Sequence, residues 1–155
     1  MGDQFFDTSV DLVTNPEELS IALGKPVDAK FGRVIAIQAM DHQLLGARPA
    51  NFVVNIASMQ EMDPPVIAAY FDDLRSIAGH QELMFYRCYR EEKFLPDGTI
   101  TRFSDYPWNS GDDILVDELC PWHQQYYSFK PPFFRPHDGP IRHQLAVMTN
   151  RRAGS

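Results

Sequence analysis

A chain of 155 residues with 44% apolar and 23% charged side chains is large enough to bury one core and close to the globular average, which excludes a disordered, collagen-like or coiled-coil protein. Its 21 acidic and 14 basic residues leave a net charge of −7, so there is no basic field to neutralise a phosphate backbone and nucleic acid is not an expected partner. Two cysteines, Cys88 and Cys120, form neither a disulfide framework nor a zinc knuckle and fit a reducing cytoplasm, and no signal peptide or stretch of roughly 18 apolar residues points to a membrane.

Within the first thirty residues the one convincing element is a short helix, capped by Asn15, opened by Pro16 and ended by Gly24. A β-branched run, Arg33–Ile37, predicts a strand, followed by a polar loop from Asp41 to Pro49. The nearly continuous apolar run Asn51–Ile56 predicts a strand buried on both faces of a parallel sheet. Asp63 and Pro64 then open a helix that Gly79 closes, with Val66, Ile67, Tyr70, Phe71, Leu74, Ile77 and Ala78 on its apolar face. Leu83–Tyr86 supplies a second buried strand, so the order strand, helix, strand is that of a crossover unit.

Beyond it the pattern turns antiparallel. Asp97-Gly98, flanked by Lys93–Pro96 and Thr99–Phe103, predicts a hairpin with a two-residue turn. Asp113–Glu118 and Arg142–Met148 read as two more strands, separated by an irregular, aromatic segment from Leu119 to Pro140 that holds five of the 12 prolines.

Three groups of residues can carry chemistry. Ser58–Met62 sits just past the carboxyl end of a predicted strand, where open α/β sheets bind ligands, so Glu61 is a candidate general base; its other reading is an interaction with the first-turn amides of the next helix. His123, near Asp117 and Glu118, is suited to proton transfer, and Trp122, Tyr126 and Tyr127 can stack on a sugar ring; equally, the cluster can be a packed cover over a sheet edge. Arg87, Arg90 and Lys93 can bind a phosphate or carboxylate, or pair with Glu91 and Glu92. His123, His137, Asp138 and His143 match no compact ligand spacing, so no metal is expected. No GxGxxG turn, P-loop or GxSxG elbow is present.

Phe52–Met62, with its N-x-x-S-x-Q-E-M pattern from Asn55 to Met62, and the following helix with Ala69-Tyr70-Phe71 resemble the sugar O-methyltransferase family. Phe85–Lys93, Asp117–Gln124 and Asp138–Ile141 are similar to later stretches of the same family, and the resemblance covers roughly residues 30–150. It implies a class I S-adenosylmethionine-dependent methyltransferase in which that pattern follows the fourth strand of a Rossmann-like sheet. The expected fold is therefore α/β, a partial Rossmann-like methyltransferase sheet with parallel strands over 33–89 and antiparallel C-terminal strands near 113–118 and 141–149. Residues 1–155 are read as a single domain, with a poorly defined segment over 1–30 and the C-terminal half of a methyltransferase-like domain over 31–150.

The family binds its donor chiefly through an earlier strand and a glycine-rich turn, which this chain is expected to lack. The resemblance thus implies an acceptor-side fragment, inactive alone, with Glu61 or His123 as base. Asn55, Ser58, Gln60 and Arg87 would bind or position the acceptor, and Trp122, Tyr126 and Tyr127 would cover it. Expected partners are a sugar or glycan acceptor and either a chain supplying the donor-binding half or a second copy. The alternative is a non-enzymatic carbohydrate- or protein-binding module built on the aromatic segment 119–140.

Overall fold

The computed structural model describes residues 10–26, 34–37, 39–47, 50–78 and 82–149. They belong to a mixed α/β protein, mostly strand, whose chain divides into two compact units, Met1–Ala47 and Arg48–Ser155.

In the first unit β1 (Val10–Val13) runs through α1 (Pro16–Gly24) to β2 (Val34–Ile37), and the two strands pair in parallel from Val10↔Val34 to Val13↔Ile37. The helix starts where the sequence requires, because Asn15 Oδ1 accepts the Glu18 N–H at 2.9 Å and Pro16 has no amide to leave unpaired. Val13, Leu19 and Ala22 make its small core, with Ile35, Ile37 and Leu44 against them. β1 was not legible among the first thirty residues, since four residues are too few to establish a period. The polar loop expected after Asp41 is instead a run of 3-10 turns over Ala39–Ala47, broken at Asp41. Arg33, Pro49 and Gly79, which bounded predicted elements, lie outside the described residues.

The second unit opens with the predicted crossover: β3 (Phe52–Ile56), α2 (Pro64–Ala78) and β4 (Leu83–Arg90), with β3 and β4 parallel from Phe52↔Met84 to Ile56↔Cys88. A hairpin of β5 (Glu92–Phe94) and β6 (Ile100–Arg102) follows, then β7 (Asp113–Leu119), a second hairpin of β8 (Gln125–Tyr127) and β9 (Phe134–Pro136), and finally β10 (Ile141–Met148). The main sheet has the order β3-β4-β10-β7, and β10 is antiparallel to both neighbours.

Period-two alternation divides this sheet into two unlike faces. Leu83, Phe85 and Tyr89 of β4 and Met148 of β10 share one buried cluster with Ile67, Phe71, Leu74 and Ile77 of α2, each large apolar side chain contributing roughly 2 kcal/mol by burial. Phe71 meets Phe85 and Trp108 edge-on at 5.8 and 5.1 Å. The opposite face stays open over much of its area: Phe52, Val54, Ile56 and Met84 are all exposed.

Three sequence expectations differ from the structure. The sequence reads Asn51–Ile56 as buried on both faces, yet β3 is the edge strand of the four-stranded sheet and its residues alternate between half-buried and exposed. The turn at Asp97-Gly98 is a three-residue loop rather than a two-residue one: the Leu95 N–H reaches the Thr99 carbonyl at 2.8 Å, and Gly98 takes a φ of 90°, which a side chain would disfavour. The segment from Leu119 to Pro140, read as irregular, contains the β8–β9 hairpin, whose strands pair from Gln125↔Pro136 to Tyr127↔Phe134.

Candidate functional site

β3, β4 and β7 all point the same way, so the loops after Ile56, Arg90 and Leu119 and the loop entering Ile141 meet at one edge of the sheet. Carboxyl edges of parallel strands are where such sheets hold ligands, because chain reversals there leave a crevice lined by loop side chains.

The first loop is held by its own polar residues. Asn55 Oδ1 accepts from Tyr89 Oη at 2.7 Å, from Ser58 Oγ at 2.8 Å and from the Met59 N–H at 3.3 Å. Gln60 Oε1 accepts the Arg90 N–H at 2.9 Å, and its carbonyl accepts Thr101 Oγ1 at 2.8 Å. Between these pins Ala57 has a φ of 59°, a left-handed conformation costly for a residue with a Cβ and found disproportionately at functional sites. Asn55 and Gln60 thus spend their hydrogen bonds on shaping the loop, while Ser58 and Glu61 remain accessible. Glu61 Oε1 lies 3.1 Å from Lys93 Nζ, an ion pair of half-exposed partners.

The second group comes from the β8–β9 hairpin. His123 and His137 face each other with ring centroids 4.8 Å apart, and Tyr126 lies 5.5 Å from His137. The pair is carried by Gln124, whose Nε2 donates to the Cys120 and Ile141 carbonyls at 2.8 and 2.7 Å and whose carbonyl accepts the His137 N–H at 3.1 Å. Burial first, then the nearby His123 and Arg90 charges, holds His137 below the ordinary imidazole range. Trp122 is 69% exposed and stands edge-on to His143 at 4.9 Å. His143 itself is buried, with Nδ1 3.2 Å from Tyr86 Oη and Nε2 3.4 Å from Glu118. Beyond it the hairpin tip exposes Tyr127, Phe129, Phe133 and Phe134, with Tyr127 and Phe133 stacked at 6.4 Å.

No protein-family model, curated protein or solved structure matches this chain.

A hollow of about 390 Å³ at the end of β4 is lined by the cations Arg90 and Lys93 and the carboxylates Glu91, Glu92 and Asp138, with Phe94. Glu61 and His123 share this edge but belong to different clusters, the one with Lys93 and the other with His137. Ser58, Trp122, Tyr126 and Tyr127 are all exposed.

Arg87 is elsewhere: only 1% exposed, it donates to Gln144 Oε1 at 2.8 Å and the Phe103 carbonyl at 2.9 Å, beneath the Phe103 and Tyr106 rings at 3.7 and 4.2 Å. Desolvation draws its guanidinium down to about 10 against the opposing pull of Tyr106, Tyr89 and Asp117. The reading of Arg87 as an anion binder is therefore replaced by a core role. Sequence reasoning passed over Gln124 and Tyr89, since a lone amide or phenol carries no spacing signal.

Among the described residues no three His, Cys, Asp or Glu side chains come together as a metal would require, and no helix is long and apolar enough to cross a membrane. S-adenosylmethionine, implied by the family resemblance, finds no cradle in the described crossover of the first unit. The turn from β1 into α1 is Thr14-Asn15-Pro16, where Thr14 and Glu18 N–H groups are already bonded to Glu18 and Asn15 and Pro16 offers none. These residues do not fit the donor.

Proposed function

We propose that the second unit is an acceptor-side domain of sugar O-methyltransferase type, which holds a sugar hydroxyl at the carboxyl edge of a partial Rossmann-like sheet and leaves donor binding to another polypeptide. The observation that supports this best is the pinned, strained loop Asn55–Met62, which follows a parallel strand and presents Ser58 and Glu61 beside Lys93 at the ligand-binding edge. On this reading Glu61 takes the hydroxyl proton, His123 is the second candidate for that step, and Trp122 and Tyr126 cover the ring.

A second reading rests on a separate observation, the exposed aromatic tip of the β8–β9 hairpin: a carbohydrate- or protein-binding module without turnover.

Glycan-array binding followed by calorimetry separates them. Under the first reading a bound sugar loses at least tenfold in affinity on Ser58→Ala or Trp122→Ala, and the isolated chain does not consume S-adenosylmethionine. Under the second, affinity falls on Phe129→Ala or Tyr127→Ala and ignores Ser58→Ala. Absence of any glycan binding, or full methyl transfer by the chain alone, would overturn the first.

A further inference from the structure

We propose that the β8–β9 hairpin is pH-operated: protonation of the facing His123 and His137 rings opens its mouth and releases the β9 arm from β8. Every residue involved belongs to the second unit. β8 and β9 pair over three residues a side and with no other strand among the described residues, a size that is marginal by itself. Gln124 fastens the β8 arm at its base, where its side chain donates to the Cys120 and Ile141 carbonyls and accepts the Ile141 N–H at 3.1 Å. The β9 arm is joined to that base by the His137 N–H, which reaches the Gln124 carbonyl at 3.1 Å.

The two histidines flank this bond. His123 directly precedes Gln124, and its ring centroid lies 4.8 Å from that of His137, with Tyr126 5.5 Å from His137 on the other side. Uncharged, the rings pack against each other; protonated, they set two like charges across the mouth. His137 Nε2 is buried without a hydrogen-bond partner among the described residues, so an imidazolium there finds no acceptor.

The surroundings supply little compensating charge. No acidic residue occurs from Leu119 to His137, a segment that already carries Lys130 and Arg135. The neighbouring charge from β4 is Arg90, which with burial and His123 holds His137 below the ordinary imidazole range. Glu118 at the end of β7 lies 3.4 Å from His143, and Glu91, Glu92 and Lys93 pair with Arg142, Arg102 and Glu61. Asp138, next to His137 in the chain, is exposed and lines the same hollow as Arg90. With both rings protonated, His123, His137 and Arg90 set three positive charges against that one water-screened carboxylate. Opening relieves the repulsion and hydrates His137, so the closed form is favoured above 6.5 and lost as pH falls through the lower, folded value.

The inference does not depend on the proposed function. Amide exchange of the full chain, read by NMR at about pH 7.5 and about pH 5 and expressed as protection factors, tests it. The His137 amide is expected to lose about tenfold or more in protection in acid while the β4–β10 ladder keeps its own. His123→Gln is expected to hold the His137 amide protected at the lower pH. Should that variant loosen the hairpin at the higher pH, His123→Phe, which keeps a ring against His137, serves in its place with the same expected result. Equal protection of the His137 amide at the two pH values, an acid loss that persists without the His123 imidazole, or a loss that extends through the main sheet overturns the proposal.

Discussion

Arg75 and Asp112 form a two-point pair, Nη1 to Oδ1 at 2.9 Å and Nη2 to Oδ2 at 2.6 Å, that ties the last turn of α2 to the loop entering β7. Asp112 also accepts the N–H groups of Asn109 and Thr149 at 2.7 and 3.2 Å, and Arg75 donates to the Thr149 carbonyl at 3.1 Å. One side chain thus gathers a helix, a loop and the end of β10. Both partners are shielded from water, with side chains 12% and 1% exposed, so removing either leaves the other buried without its counter-charge.

Removing half of that pair strands the other half. Asp112→Ala is expected to cost about 3 kcal/mol in urea unfolding at pH 7, and a loss below about 1 kcal/mol would refute the assignment. Burial raises the Asp112 carboxyl, but the hydrogen bonds from Arg75, Asn109 and Thr149 outweigh it and hold the group below 3.8. Its stabilisation is therefore full above 3.8 and disappears as pH falls through the lower, folded value. Acid titration of wild type against Asp112→Asn checks this: the variant lacks the corresponding loss below pH 4.

Arg87 is a packing residue held by ring faces and two acceptors, with its Nη1 buried and without a hydrogen-bond partner. Arg87→Ala leaves Gln144 and the Phe103 carbonyl short of a donor and opens a cavity beneath the rings, at about 4 kcal/mol. Arg87→Met restores the packing but not the hydrogen bonds and recovers about half of that. Equal losses in the two variants would show that packing under the rings contributes nothing.

His137 is expected to titrate below 6.5 by NMR. His123→Ala moves it partway back up, since burial is the larger cause and remains. Because the folded value is the lower one, this group favours folding above 6.5 and ceases to do so as pH falls through its folded value. An unchanged His137 titration in His123→Ala rejects the electrostatic contact between the rings.

Cys88 and Cys120, 32 positions apart in the chain, share one buried cluster with Ile141. Burial and then the neighbouring Cys120 push the Cys88 thiol up to about 12. Both thiols should resist a thiol-specific disulfide reagent at pH 8 in the folded protein and react at once in denaturant. Rapid modification of native protein at either position contradicts the packing described.

Local signals carried far in this chain. Asn15-Pro16 and Asp63-Pro64 mark two helix starts, because caps and proline act within one turn of backbone, and apolar spacing over Ile67, Phe71, Leu74 and Ile77 marks the face that α2 buries. The strand-helix-strand order around Asn55–Met62 was equally legible, and with it the edge where Ser58 and Glu61 lie. What the residues could not declare was pairing. Val54 reads as buried and is exposed; Arg87 reads as a surface cation and is enclosed; Gln124 gives no signal and fastens the hairpin bearing His123 and His137. Each of these depends on which strand lies alongside and which face a helix covers. Those are contacts between residues distant in the chain, and only the assembled sheet, β3-β4-β10-β7 with α2 on one side, decides them.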